Sequence, residues 1–79
     1  MNEKVVIKEL KLANGDIWFH ETVIKLNSNV KTEKLRFLGH TIAINPSEAL
    51  LASFYDSAIE VKEVLKSTII DYTKGENRD

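Results

Sequence analysis

Two runs near the start of the chain, residues 4–12 and 16–26, carry apolar residues at strand-like spacing on either side of Asn14-Gly15. Asn-Gly between β-rich runs predicts a hairpin, because both residues tolerate the positive φ of a type I′ turn. A two-residue loop sets Ala13 opposite Asp16 and fixes the register behind it. Leu10 then faces Phe19, Val6 faces Val23 and Val5 faces Ile24. Lys8 meets Glu21, Glu9 meets His20, and Lys11 lies beside Trp18. Like meets like and opposite charges meet, at roughly 0.2–1 kcal/mol per pair.

Residues 27–34 are polar apart from Val30 and read as a connection. Residues 35–44 read as a third strand, with Gly39 marking a bulge or a close approach. Asn45-Pro46-Ser47-Glu48 has the makings of a helix start: Asn45 as cap, Pro46 in the first turn and Glu48 at capping-box spacing. Leu50, Leu51, Phe54, Ala58, Val61, Leu65, Ile69 and Tyr72 recur at 100° per residue, which predicts a helix over residues 46–73. Gly75 is its stop and residues 75–79 a frayed tail. The expected architecture is α+β: a three-stranded antiparallel β-meander followed by one long C-terminal α-helix, βββα, in a single domain over residues 1–79.

That arrangement leaves an apolar surplus. One helix covers one face of such a sheet, yet the hairpin carries apolar residues on both. Leu10, Leu12, Ile17, Phe19 and Val23 lie on one face; Val5, Ile7, Trp18, Ile24 and Leu26 lie on the other. Isolated exposed apolar residues are ordinary, and Ile59 and Ile70, on the helix side opposite its apolar stripe, fit that description. A whole uncovered sheet face is not ordinary. The second face, with Trp18 as anchor and Ile59 and Ile70 as outlying contacts, is therefore expected to pack on another chain. The simplest closed solution is a C2 homodimer through the sheet or its edge.

Composition narrows the chemistry. The chain has 79 residues, 43% hydrophobic and 29% charged, with net charge −1 and no cysteine. A disulfide framework, a thiolate nucleophile and a cysteine-ligated metal are excluded. No apolar run approaches the ~20 residues of a membrane span. Residues 1–4 have no signal-peptide character, so a cytoplasmic protein is expected. Lys, Asn and Ile, whose codons are A/T-rich, make up 23 residues, which hints at a low-GC bacterium or a phage or mobile element within one.

Catalytic signals are weak. There is no Gly-x-Ser-x-Gly elbow and no glycine-rich phosphate loop. His20, His40 and Glu9 could share a sheet face as a two-histidine, one-carboxylate metal site. Nothing in their spacing demands it, and a surface pair of His20 with Glu9 is the plainer reading. No enzyme activity, metal or cofactor is expected. Up to residue 44 the chain is net +2, and after it net −3. Lys11, Lys31, Lys34 and Arg36, with Trp18 to stack a base, would be the contacts of a nucleic-acid-binding sheet. Asp56, Glu60 and Glu63 on an acidic helix face would suit a basic partner, although Lys62 and Lys66 among them favour a solvated surface.

The expectation is a small non-enzymatic binding protein: a homodimer that also binds a second protein by steric occupation. A phage or mobile-element inhibitor or regulator of a host or defence macromolecule is the most concrete form. The alternatives are a nucleic-acid-binding regulator that uses the basic half, or a structural subunit of a larger assembly. No membrane partner is expected.

Overall fold

The structure is a computed structural model that describes residues 3–66 of the chain. Its elements are β1 (Glu3–Leu12), β2 (Ile17–Lys25), β3 (Val30–Phe37), β4 (His40–Ile44), α1 (Glu48–Ser57) and β5 (Ala58–Val64). The strands form one antiparallel sheet in the order β4-β3-β2-β1-β5. The expected βββα fold with a long C-terminal helix is thus corrected: the described residues form five strands and one short helix, α1, that ends at Ser57. Residues 67–73 of the expected helix, with Ile69, Ile70 and Tyr72, and the expected tail lie outside the described residues.

The first hairpin forms where expected but closes differently. Leu12 N donates to Asp16 O at 2.9 Å, and Gly15 N donates to Leu12 O at 3.0 Å. The loop is therefore Ala13-Asn14-Gly15, with Gly15 at φ 94° and Asn14 outside the left-handed region. A type I turn followed by a left-handed glycine is the common three-residue hairpin. Asn14 Oδ1 accepts from Asp16 N at 2.9 Å and stiffens it. One extra loop residue slips the register by one. Leu10 now faces Trp18, Glu9 faces Phe19, Lys8 faces His20 and Val5 faces Val23. Every side chain of β2 thereby changes its neighbours on β1.

The expected third strand, 35–44, is in fact a hairpin. Leu38 and Gly39, at φ 54° and 83°, form a two-residue turn with two left-handed positions. Gly39 serves the turn rather than a bulge within one strand. Leu38 is unusual there, since a left-handed backbone costs a side chain with a Cβ roughly 1–2 kcal/mol. β3 starts earlier than expected, inside the polar stretch. Its charged residues are tolerated because they meet partners across the ladder: Lys34 lies opposite Glu21, and Arg36 Nε donates to Glu21 Oε1 at 2.9 Å. β4 then runs back with a register shift that leaves Ile42 without a ladder partner on β3, between Thr41 opposite Arg36 and Ala43 opposite Leu35.

Asn45 does not cap the helix. At φ 50° it turns the chain out of β4. Its backbone N donates to Glu33 O at 2.6 Å, and its side-chain Oδ1 accepts from Glu33 N at 2.9 Å. The side chain thus supplies an acceptor to β3 as the backbone turns away. Ser47 is the cap, with Oγ accepting from Leu50 N at 3.1 Å. α1 stops at Ser57, with Ala58 already extended at ψ 134° and no basic residue in the last turn. The β-branched Ile59, Val61 and Val64 follow, and they favour a strand over a helix. Residues 58–64 then pair along β1 from Leu12 to Ile7.

The sheet is buried on both sides at its centre. Leu10 and Leu35 share one side with Trp18, His20 and Phe37; α1 lies on it, with Phe54 against Trp18 and Tyr55 against His20. Ile7 and Phe19 form a core cluster on the other side, flanked by Ile17 and Val64. Glu21 is buried on this second side, compensated by Arg36. A buried carboxylate is tolerable only with such a partner.

Candidate functional site

The densest polar arrangement lies between the sheet and α1. β2 carries His20, β3 carries Glu33, and α1 carries Tyr55. His20 Nε2 lies 2.7 Å from Glu33 Oε1, and His20 Nδ1 lies 2.7 Å from the Tyr55 hydroxyl. A carboxylate only accepts, so Nε2 carries the proton. In the neutral ring Nδ1 then accepts from the Tyr55 O–H. Lys31 Nζ stands 3.8 Å from the second Glu33 oxygen. Burial, and secondarily the negative charge of Glu33, raise the Tyr55 phenol above its ordinary value of 10.0.

This geometry defines what the group can do. Both ring nitrogens of His20 are engaged, one by a fixed carboxylate and one by a phenol that stays protonated at neutral pH. A tyrosine nucleophile needs a lowered pKa, whereas that of Tyr55 is raised. The arrangement has the properties of a fastener: it ties α1 to β2 and β3 through charge-assisted and neutral hydrogen bonds. Beside it, Trp18 stacks on Phe37 at 4.8 Å and meets Phe54 at 4.6 Å, which adds an aromatic contact to the same seam.

The residues singled out from the sequence are distributed as follows. Val5 and Ile7 lie on the side of Phe19, whereas Trp18 and Ile24 lie on the α1 side, so the five residues expected to form one face do not share one. The register slip separates them. The Trp18 face, expected to be open, is the one on which α1 packs. Leu26 is exposed in the turn after β2, Ile59 is exposed on β5, and Ile70 is outside the described residues. Lys11, Lys34 and Arg36 lie on the Phe19 side, each beside an acid across the ladder or in direct contact: Lys11 opposite Glu60, Lys34 opposite Glu21, and Arg36 bonded to Glu21. Lys31 is on the α1 side. Asp56 is exposed on α1, while Glu60 and Glu63 sit on opposite faces of β5, so the acids do not make one helical surface.

No protein-family model, curated protein or solved structure matches this chain. Glu9 points away from His20 and lies 4.0 Å from Lys62. Among the described residues no group of three or more His, Cys, Asp or Glu is arranged to hold a metal ion, and no helix is long and apolar enough to cross a membrane. Sequence reasoning missed Glu33 and Tyr55. Glu33 falls in the polar stretch 27–34, which shows no apolar alternation that would mark a strand. Tyr55 lies next to Phe54 of the apolar stripe, and a half-buried tyrosine seeking a hydroxyl partner was the one available signal.

The two sheet edges differ. Among the described residues β4 pairs only with β3, and β5 only with β1. β5 carries Glu60, Lys62 and Glu63. β4 carries no Asp, Glu, Lys or Arg, and Ile42 and Ile44 are 56% and 62% exposed.

Proposed function

We propose that this protein is a non-enzymatic protein-binding module that captures a partner by adding an extended strand to β4. The observation that carries this reading is a β4 edge without Asp, Glu, Lys or Arg and with Ile42 and Ile44 exposed. Edge strands are usually blunted by charge, as β5 is. An edge without fixed charge offers backbone hydrogen-bonding groups to an incoming strand, and its exposed side chains supply apolar contact. The action is steric occupation by a preformed surface, without chemistry. A cytoplasmic phage or mobile-element inhibitor of a host or defence macromolecule is one concrete form, supported by the Lys-, Asn- and Ile-rich composition alone. A structural subunit would use the same edge.

The nucleic-acid reading has less support. Trp18 stacks on Phe37 and meets Phe54 at a tilt rather than offering a face to a base. Arg36 is held by Glu21, and Lys31 lies near Glu33.

Affinity capture from bacterial lysate with the wild-type chain and with Ile42→Lys tests the proposal. A partner retained by wild type and by Ile59→Lys, and lost with Ile42→Lys, is the expected result. A partner held equally by all three would show that β4 is not the binding edge. Binding of single-stranded oligonucleotides that weakens steeply with salt would favour the alternative.

A further inference from the structure

We infer that the occupant of the β4 edge is a second copy of this chain, joined strand to strand about a two-fold axis. The inference rests on the reading of β4 as the interaction edge and names the partner. Three observations on one hairpin converge. The first is charge. Residues 37–47 contain no Asp, Glu, Lys or Arg, the longest such run in the chain. Antiparallel self-pairing of this segment about Ile42 sets Ile42 against its copy, Thr41 against Ala43 and His40 against Ile44. No Asp, Glu, Lys or Arg enters the seam. The same operation at β5 would bring Glu60, Lys62 and Glu63 into the seam.

The second observation is backbone strain. Leu38, in the turn that feeds β4, holds φ 54° with its side chain 43% exposed. Asn or Gly suits that position better. A bulky apolar residue kept in a left-handed turn, and left exposed, works against the stability of the single chain. Such strain is a pointer to function at the site that holds it. Here it places a third apolar side chain on the hairpin that exposes Ile42 and Ile44. The third observation is the register shift in β4. Bulges re-aim side chains at sheet edges, and this one leaves Ile42 outside the ladder with β3.

Pairing at β4 also ends the assembly. Two five-stranded sheets joined at β4 make one continuous sheet whose outermost strands, among the described residues, are both β5. Those edges are charged and resist further addition. The product is a closed dimer rather than a fibre.

The test is the mass of the full-length chain in solution, by light scattering or sedimentation, from micromolar to sub-millimolar concentration. Wild type should rise toward twice the 9.0 kDa chain mass. Ile42→Lys should remain monomeric, and Ile59→Lys, on β5, should dimerise like wild type. Leu38→Asn separates association from folding. It should raise the midpoint of thermal unfolding of the dilute chain by about 4–8 °C and yet weaken the dimer at least tenfold. A wild-type chain that stays monomeric throughout overturns the second copy as occupant and leaves the capture experiment to judge β4 on its own. A dimer broken by Ile59→Lys and kept by Ile42→Lys overturns both readings at once. A Leu38→Asn chain that dimerises as tightly as wild type removes the turn from the interface and overturns the strain argument.

Discussion

Tyr55 stands 35 residues from His20 in sequence and 2.7 Å from it in space. At the residue scale this contact joins α1 to β2. The phenol donates to Nδ1 while Glu33 holds Nε2, so three elements meet in one chain of hydrogen bonds. A net hydrogen bond of this kind contributes about 1 kcal/mol. Tyr55→Phe should lower stability at neutral pH by about that amount, measured by urea unfolding. The pH dependence has a definite sign. Burial and Glu33 raise the phenol above 10.0 in the folded state, so the fold favours the protonated form. The contribution is fully present below pH 10.0 and is lost as pH rises through the higher folded value. The stability difference between wild type and Tyr55→Phe should therefore shrink at strongly alkaline pH. A difference that stays constant or grows there would contradict the hydrogen-bond assignment. None of this was legible in the sequence. His20 was matched with Glu9, its neighbour in a two-residue hairpin, and a one-residue change of loop put Glu9 on the opposite side of the sheet.

At the scale of elements, the hairpin itself was legible and its register was not. Asn14-Gly15 marks a turn in either form, but whether Asn14 or Gly15 alone takes a positive φ decides between two and three loop residues. That choice is worth little locally. It is settled by what each register buries: Ile7 and Phe19 on one side, Leu10 on the other. The helix shows the same division. Its start was legible to within two residues, with the cap on Ser47 rather than Asn45. Ser47→Ala should destabilise the protein by about 1 kcal/mol, and Asn45→Ala should also destabilise it, through loss of the Glu33 contact rather than of a cap. Thermal unfolding with circular dichroism measures both; a neutral Ser47→Ala would remove the cap from the account. The end of the helix was misread. Ala58, Val61 and Leu65 continue the helical stripe, but the same residues also fit a strand with Ile59 and Val64. Periodicity over seven residues cannot separate the two readings. The vacant outer side of β1 separates them, because its backbone groups gain partners along Ile7 to Leu12 only if residues 58–64 extend.

For the whole molecule, the strand order β4-β3-β2-β1-β5 places the middle of the chain's first half at the centre and its later segments at both edges. β2 is flanked by β1 and β3, carries Phe19 at 0% exposure, and supplies His20 and Glu21 to two polar contacts on opposite sides. Stability follows this order. Amide hydrogen exchange should be slowest in β2 and its partners in β1 and β3 and fastest in β4 and β5, since local opening is cheapest where pairing is one-sided. If the proposed dimer forms, β4 alone should gain protection as concentration rises, and β5 should not. Uniform exchange across all five strands would contradict the layered order. The apolar surplus seen on both hairpin faces has a partial structural answer here: the sheet is buried at its centre on both sides, and exposed apolar residues remain at Leu38, Ile42 and Ile44 on one hairpin, at Leu26 and Val30 around the β2–β3 turn, and at Ile59 and Leu65 near the opposite edge.

By itself, the sequence determined the local events: two strands around Asn14-Gly15, a helix start within two residues of Ser47, the absence of any cysteine chemistry, and more apolar residues than one helix and one sheet face can absorb. These depend on neighbours along the chain, where propensity and spacing act directly. Register, the split of residues 35–44 into two strands, the end of the helix and the union of His20, Glu33 and Tyr55 depend on energies earned between distant segments. Each alternative was close to degenerate locally. Only the tertiary structure, which buries both sides of the sheet and pairs the outer edge of β1, breaks the tie.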